Sequence, residues 1–213
     1  MLNRLLRETW TKVMTPIAKL FLRLGLSPDV VTVIGTLGVC AGALGFYPRG
    51  QFLVGTLVIV LFIFADNVDG VMARMSGRSG PWGAYLDSTL DRVGDAAIFG
   101  ALVLYFAGPH GDLLTAGFAL ACLIFGFVVS YAKARAEGLG MTANVGIAER
   151  ADRLLAVLLT TFLVGVGLPV VVLTVVLALL AVASLVTVVQ RMLEVRRQAL
   201  APAGPSATDL SAS

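Results

Sequence analysis

From Leu154 to Gln190 the chain carries no charged side chain. The run is too long for one membrane-spanning helix, which needs about 20 residues. Gly165, Gly167 and Pro169 supply a turn that divides it in two. Lipid offers no hydrogen-bond partner to a peptide group, so only helices and closed barrels cross it. Both halves of the run are continuously apolar, without the alternation of a barrel strand, and two consecutive helices are the expected result.

The same pattern recurs upstream. Six apolar segments fall approximately over 30–47, 52–68, 84–106, 113–132, 154–167 and 170–190. Hydrophobic residues make up 58% of the 213 and charged residues only 14%, which excludes a soluble globular domain and leaves an all-α integral membrane protein with six transmembrane helices. The net charge of +3 sits between apolar runs, so the expected partners are membrane lipids or a phosphorylated substrate, and not nucleic acid. Cys40 and Cys122 both lie within apolar runs and read as packing residues. Residues 1–28 differ from the rest. Leu2, Leu5, Leu6, Trp10, Val13, Ile17, Leu20, Phe21 and Leu24 recur at helical spacing with Arg4, Arg7, Lys12, Lys19 and Arg23 between them. That pattern fits an amphipathic helix lying in the interface, its basic side chains on lipid headgroups, and not a cleavable signal. The spanning domain then covers 29–197, and 198–213, rich in Ala, Pro, Ser and Gly, is expected to be a disordered tail.

Lys and Arg positions set the orientation. The loops at 47–51, 107–112 and 165–169 contain only Arg49. The opposite side collects the N-terminal segment, Arg74, Arg78, Lys133, Arg135, Arg150, Arg153, Arg191, Arg196 and Arg197, which places both termini in the cytoplasm. His110, in AGPHGD on the outer side, reads as a polar loop residue.

Residues 65–91, ADNVDGVMARMSGRSGPWGAYLDSTLD, fall on the cytoplasmic side. Asp66 and Asp69 are three apart and Asp87 and Asp91 four apart, so on helices each pair shares a face. Four carboxylates converging there would repel one another, and burying them uncompensated is costly. Divalent cations relieve both problems. Oxygen-only ligands favour Mg²⁺ or Mn²⁺, and four carboxylates suffice for two ions, an arrangement suited to phosphoryl chemistry. Gly70 and Ala73 remove bulk beside the acids, Arg74 one turn on can pair with a phosphate, and Gly83 permits close helix packing. Asp95 continues the Asp87 and Asp91 face and is expected to pair with an arginine such as Arg92 or Arg74. Gly35, Gly38 and Gly42 read as helix packing, and Ser27 or Asp29 with Pro28 as the start of the first span. A transporter lined by intramembrane carboxylates is the alternative from another class. Against it, the acids cluster at one membrane face with no second acidic layer.

The stretch Asp66-x2-Asp69-Gly70-x2-Ala73-Arg74-x8-Gly83-x3-Asp87-x3-Asp91 resembles the signature of the CDP-alcohol phosphotransferases without a departure. The segments TPIAKLFLRLGLSPDVVTVIG, SYAKARAEGLG and GIAERADRL add a narrower resemblance to the actinobacterial phosphatidylinositol phosphate synthases. The resemblance implies a homodimeric enzyme of the bacterial plasma membrane that moves a phosphatidyl group from CDP-diacylglycerol to inositol phosphate and releases CMP, with phosphatidylglycerol phosphate synthase, using glycerol 3-phosphate, as the alternative. It implies that Asp66 and Asp87 bridge two metal ions, that Asp69 and Asp91 each complete one, and that Asp91 is also the general base. It further implies that Asp29, Val30, Val31 and Thr32 border the donor's cytidine and diphosphate, with Asp66, Asp69, Gly70, Ala73, Arg74 and Gly80 completing its contacts. Ser130, Lys133, Arg135, Arg153 and Arg191, all at the cytoplasmic face, are the expected pocket for inositol phosphate.

Overall fold

The structure, a computed structural model, describes residues 14–77, 80–108 and 111–201, apart from the side chains of Asp66 and Asn67. Arg4, Arg7, Lys12, His110 and the tail from residue 202 lie outside the described residues. Helix α1 is described over 14–23. It is followed by α2 (Pro28–Phe46), a 3-10 turn (Tyr47–Arg49), α3 (Phe52–Ser76), α4 (Pro81–Ala107), α5 (Leu113–Glu137), α6 (Arg150–Val166) and α7 (Val170–Ala199). No strand occurs among the described residues.

The six helices from α2 onward pack as a closed ring. α2 lies along α3 and α4, α4 along α5, α5 along α7, α7 along α6, and α6 along α3. Ile59, Phe99, Leu102, Val157, Leu173 and Leu177, each at most 2% exposed, fill its interior, while leucines and valines such as Leu61, Leu155 and Leu179, at least 65% exposed, face outward. An apolar outside of this kind needs lipid around it. Among the described residues, four stretches are long and apolar enough to cross a membrane: Pro28–Arg49, Phe52–Ser76, Leu113–Glu137 and Val170–Ala199. The expected count was six. α6 has only 17 residues, and α4 carries Asp87, Asp91, Arg92 and Asp95 in its first half.

Each helix start has a local cause. Ser27 caps α2, its hydroxyl accepting from Val30 N at 3.3 Å, and Pro28 occupies the first turn. Asp112 caps α5. Thr115 N at 3.0 Å and Thr115 Oγ1 at 2.6 Å donate to its carboxylate, which holds it below the ordinary carboxylate range. Glu149 and Asp152 form a reciprocal capping box at the head of α6. The helices run past their apolar segments because a helix leaving the hydrocarbon keeps its own hydrogen bonds. α3 continues through Asp69 and Arg74 to Ser76, and α7 includes Gln198, assigned to the tail by composition, whose amide donates to Thr142 O at 2.7 Å.

Close approaches explain several glycines. A Cβ at Gly42 would lie 2.9 Å from Val58 and 3.1 Å from Ile59, and one at Gly38 would overlap the Phe62 ring, so α2 and α3 pack through these positions. Gly35 instead lines a cavity. At Gly165 a Cβ would meet the Leu53 backbone, 2.8 Å from its Cα. Gly165→Ala therefore has to push α6 away from α3. Overpacking of this kind costs about 1–3 kcal/mol, so the variant is expected to melt several degrees lower in detergent, as read by scanning fluorimetry. An unchanged melting temperature would mean that this contact relaxes freely.

Cys122 is buried and donates to Leu177 O at 3.2 Å, and Cys40 is half-buried. At the loop end of the ring that carries Arg49, Tyr47, Phe52, Tyr105 and Phe106 form an edge-to-face chain with centroids 4.7–5.7 Å apart. The opposite end holds the charged residues. There α1 buries Met14 and Ala18 against Val31, Val68, Val71 and Met72 and leaves Leu20 and Leu24 exposed.

Candidate active site

Three adjoining cavities open at the charged end. The first, about 310 Å³, is lined by Pro28, Asp29 and Thr32 of α2, Asp69, Gly70, Ala73 and Arg74 of α3, and Gly80, Gly83, Ala84 and Asp87 around the head of α4. The second, about 260 Å³, lies deeper between α2 and α4. Gly35, Thr36, Asp87, Asp91, Gly94 and Arg150 contribute to its wall. The third, about 370 Å³, lies between α4, α5, the head of α6 and the C-terminal part of α7 and includes Ser88, Arg92, Ser130, Lys133, Arg150 and Arg191. Asp87 is shared by the first and second cavities, and Arg150 by the second and third.

The first cavity gathers most of the residues expected at the donor. Asp29, Thr32, Asp69, Gly70, Ala73, Arg74 and Gly80 line it. Val30 and Val31 do not: Val30 is exposed, and Val31 is buried against α1. The helical period turns these two neighbours onto other faces. A Cβ at Gly70 would sit 3.6 Å from Arg74 Nη1, an ordinary contact, so the missing side chain opens the cavity wall and is not required by Arg74. Gly83 was expected to serve helix packing. A Cβ at Gly83 would meet nothing within 4 Å, and the residue faces the cavity instead. Thr32 Oγ1 donates to Asp69 Oδ2 in a short contact and also to Pro28 O at 3.1 Å. Trp82 Nε1 donates to Asp29 Oδ2 at 3.0 Å and ties the head of α4 to the head of α2. Sequence reading passed over Trp82. Its signal was an aromatic residue directly after the proline that starts a helix at the membrane surface.

Arg150 is the larger omission. Its Nη1 lies 2.9 Å from Asp91 Oδ1 and its Nε 3.0 Å from Asp95 Oδ1. Arg92 stands on the other side, 3.7 Å from Asp91 and 4.0 Å from Asp95. Asp95 pairs with Arg92 as expected, but its closer partner is Arg150, fifty-five positions away in sequence. Arg74 is not among its partners; it lies on the first cavity. The capping box fixes the first turn of α6 and so presents Arg150 to α4.

The five residues expected to form one anion pocket separate into three settings. Ser130, Lys133 and Arg191 line the third cavity. Arg135 does not line that cavity; with Arg191 it lines a neighbouring apolar groove beside Tyr131, Leu139 and Met192. Arg153 is 1% exposed, donates to Ala148 O at 3.1 Å, and fits against Gly126, where a Cβ would lie 3.2 Å from its Nη2. Arg191 is also buried, donating to Val145 O at 3.0 Å and Val129 O at 2.6 Å. With Thr187 Oγ1, which accepts from Ile147 N and Ala148 N, it fastens the 138–149 loop to α7. Arg153 and Arg191 therefore hold the loop that delivers Arg150.

The donor set for a metal is all oxygen: Asp69, Asp87 and Asp91 on cavity walls, with Asp66 one turn before Asp69 in α3. That chemistry fits a hard divalent cation. Among the described residues, which leave out the Asp66 side chain, no three His, Cys, Asp or Glu groups converge on one point. Thr32 holds one of the acids and Arg150 another.

A sequence model of the CDP-alcohol phosphatidyltransferases matches residues 25–188, spanning α2 to most of α7 and, apart from Arg191, the residues that line the three cavities. The chain belongs to this family. It is 50% identical over 204 residues to a phosphatidylinositol phosphate synthase of Streptomyces avermitilis, covering 93% of this chain and 84% of the relative. It is also 50% identical over 198 residues to one of Cutibacterium acnes, covering 90% and 96%. Among solved structures it resembles the Mycobacterium tuberculosis phosphatidylinositol phosphate synthase with CDP-DAG bound, at a TM-score of 0.83 and 41% identity over 86% of this chain and 94% of that one. The same enzyme in complex with manganese and citrate superposes at 0.83, covering 86% and 88%. Of the family signature on α3 and α4, Asp69, Gly70, Ala73, Arg74, Gly83 and Asp87 line the first cavity and Asp91 lines the second.

Proposed function

We propose that the protein transfers the phosphatidyl group of CDP-diacylglycerol to a hydroxyl of inositol phosphate, giving phosphatidylinositol phosphate and CMP. The observation that carries this reading is the row of three cavities, with Asp87 as the wall between the first two and Arg150 as the wall between the last two. A nucleotide-linked donor suits the first. Thr32 and Asp29 approach it from α2, Gly70 and Ala73 leave its floor flat, and Arg74 offers a phosphate two parallel hydrogen bonds. An anionic acceptor suits the third, whose wall has four basic side chains (Arg92, Lys133, Arg150 and Arg191) against two acidic ones (Glu137 and Glu149). Asp91 lies between them and takes the proton of the attacking hydroxyl as the new oxygen–phosphorus bond forms and the bond to CMP breaks.

Asp66, Asp69, Asp87 and Asp91 would hold two Mg²⁺ or Mn²⁺ ions, which when bound neutralise the donor diphosphate and the charge on departing CMP. The protein's own contribution is then largely positioning, with both reactants held on fixed helices. All six ring helices span the bilayer in this reading. α4 crosses with its acids at the cytoplasmic surface, α1 lies in the interface, and both termini are cytoplasmic. The enzyme works as a homodimer in the plasma membrane.

The deciding experiment is CMP release from CDP-diacylglycerol by purified protein with Mg²⁺, run with inositol phosphate, free inositol and glycerol 3-phosphate in parallel. Release with inositol phosphate alone, abolished by EDTA, is expected. Preference for glycerol 3-phosphate would sink the acceptor assignment and retain the family chemistry. For the donor, Arg74→Ala is expected to raise the CDP-diacylglycerol KM roughly ten- to a hundredfold, since a hydrogen bond to a charged group is worth about 1.5–3 kcal/mol. Unchanged donor kinetics would remove Arg74 from the site.

A further inference from the structure

Arg150 holds two carboxylates one helical turn apart, and the two are not equivalent. Asp95, which takes its Nε at 3.0 Å, is only 4% exposed and lies on none of the three cavities. Asp91, which takes Nη1 at 2.9 Å, lies on the wall of the second cavity. The guanidinium thus has a buried tether and a head on the open side, and that head borders the third cavity as well. Among the described residues, the charged groups around it are Asp87, Asp91, Arg92 and Asp95 from α4, Lys133 and Glu137 from α5, Glu149 from its own cap, Arg191 from α7, and the buried Arg153 near Asp95. In this arrangement Asp91 Oδ1 accepts from Arg150 Nη1, so the position and charge of this carboxylate are tied to Arg150.

We infer that Arg150 couples the two halves of the site: without acceptor its head restrains Asp91, and an acceptor phosphate in the third cavity draws that head away while Asp95 keeps Nε in place. This rests on the acceptor and metal assignments proposed above. A phosphate dianion competes well for a guanidinium because it matches the same two-donor fork that a carboxylate does. The exchange leaves the number of charge-assisted contacts on Arg150 unchanged, so it can be driven by binding alone. Asp91 is released only when a phosphorylated acceptor has arrived. The donor diphosphate is then not exposed to a competent base with water as the sole nucleophile. Arg150 acts through Asp91 and is a positioning residue.

Linkage gives a test that does not depend on turnover. If acceptor phosphate frees Asp91, it must tighten cation binding, and the cation must tighten acceptor binding by the same factor. Mn²⁺ affinity is read by electron paramagnetic resonance on purified protein without donor, with and without inositol phosphate, and inositol phosphate affinity is read by calorimetry. In the wild type, inositol phosphate is expected to tighten Mn²⁺ binding about fivefold or more. In Arg150→Ala, Mn²⁺ should bind tightly from the start, inositol phosphate should bind more weakly, and the coupling should fall to about one. Arg150→Lys keeps a cation but cannot bridge two carboxylates. It should recover part of the acceptor affinity without the coupling, and it guards against a fold defect in the alanine variant. Wild-type protein that binds both ligands without coupling overturns the inference alone, as does full coupling in Arg150→Lys and Arg150→Ala. Wild-type protein that binds no inositol phosphate overturns the acceptor assignment and the inference together.

Discussion

Asp87→Asn is expected to abolish most turnover while leaving the protein folded. Among the described residues, Asp87 is the one carboxylate on the walls of both the first cavity and the cavity that holds Asp91, so its loss removes charge from both at once. Asparagine keeps the shape and one oxygen but removes the negative charge that a hard cation requires. Losing one preorganised charge stabiliser costs roughly a hundred- to a thousandfold in kcat, about 2.7–4 kcal/mol. Asp66→Asn, Asp69→Asn and Asp91→Asn should each fall in the same range. The matching readouts are CMP release at saturating Mg²⁺ and the melting temperature in detergent, which should not drop in Asp87→Asn, because that change removes a like charge that repels Asp69 and Asp91. Near-wild-type activity in three of the four variants would mean that the two-ion assignment is wrong.

Lys133→Ala is expected to raise the inositol phosphate KM roughly ten- to a hundredfold with little change in donor KM. One lost hydrogen bond to a charged group is worth about 1.5–3 kcal/mol. Lys133 is the cleanest of the basic residues to test, because it lines the third cavity and, unlike Arg153 and Arg191, is only half-buried. Arg153→Ala and Arg191→Ala are not clean. Each strips a buried carbonyl of its donor, Ala148 O in one case and Val145 O and Val129 O in the other, at about 1–3 kcal/mol per orphaned group. Both should lower the melting temperature and damage donor and acceptor kinetics together. Arg135 faces the neighbouring groove, and Arg135→Ala should leave the acceptor KM within about twofold. A Lys133→Ala enzyme with unchanged acceptor KM, or an Arg135→Ala enzyme with the larger defect, would place the acceptor elsewhere.

The sequence by itself determined the helices and the face of the site. Uncharged runs longer than the hydrocarbon is thick permit only helices, and Gly167 and Pro169 mark the break between α6 and α7, while Gly165, expected in the turn, stays inside α6. The spacing of Asp66 and Asp69, and of Asp87 and Asp91, fixes their shared faces, since helical period is a local property. The edges were less legible, and α3 and α7 both run past their apolar segments, because a helix outside the membrane needs no hydrophobicity to persist.

What the tertiary structure alone decided is which charges meet. Basic residues at the ends of α5, α6 and α7 look alike in sequence, because topology requires positive charge there whatever its use. Only packing separates Lys133, on a cavity, from Arg153, fitted against Gly126 beneath the loop, and from Arg135, turned to the next groove. The same holds for Asp95 and its closest partner, Arg150, which stands on a helix that does not follow α4 in the chain. An ion pair between non-adjacent helices leaves no periodicity in the sequence. It exists because the closed ring carries the head of α6 to the side of α4.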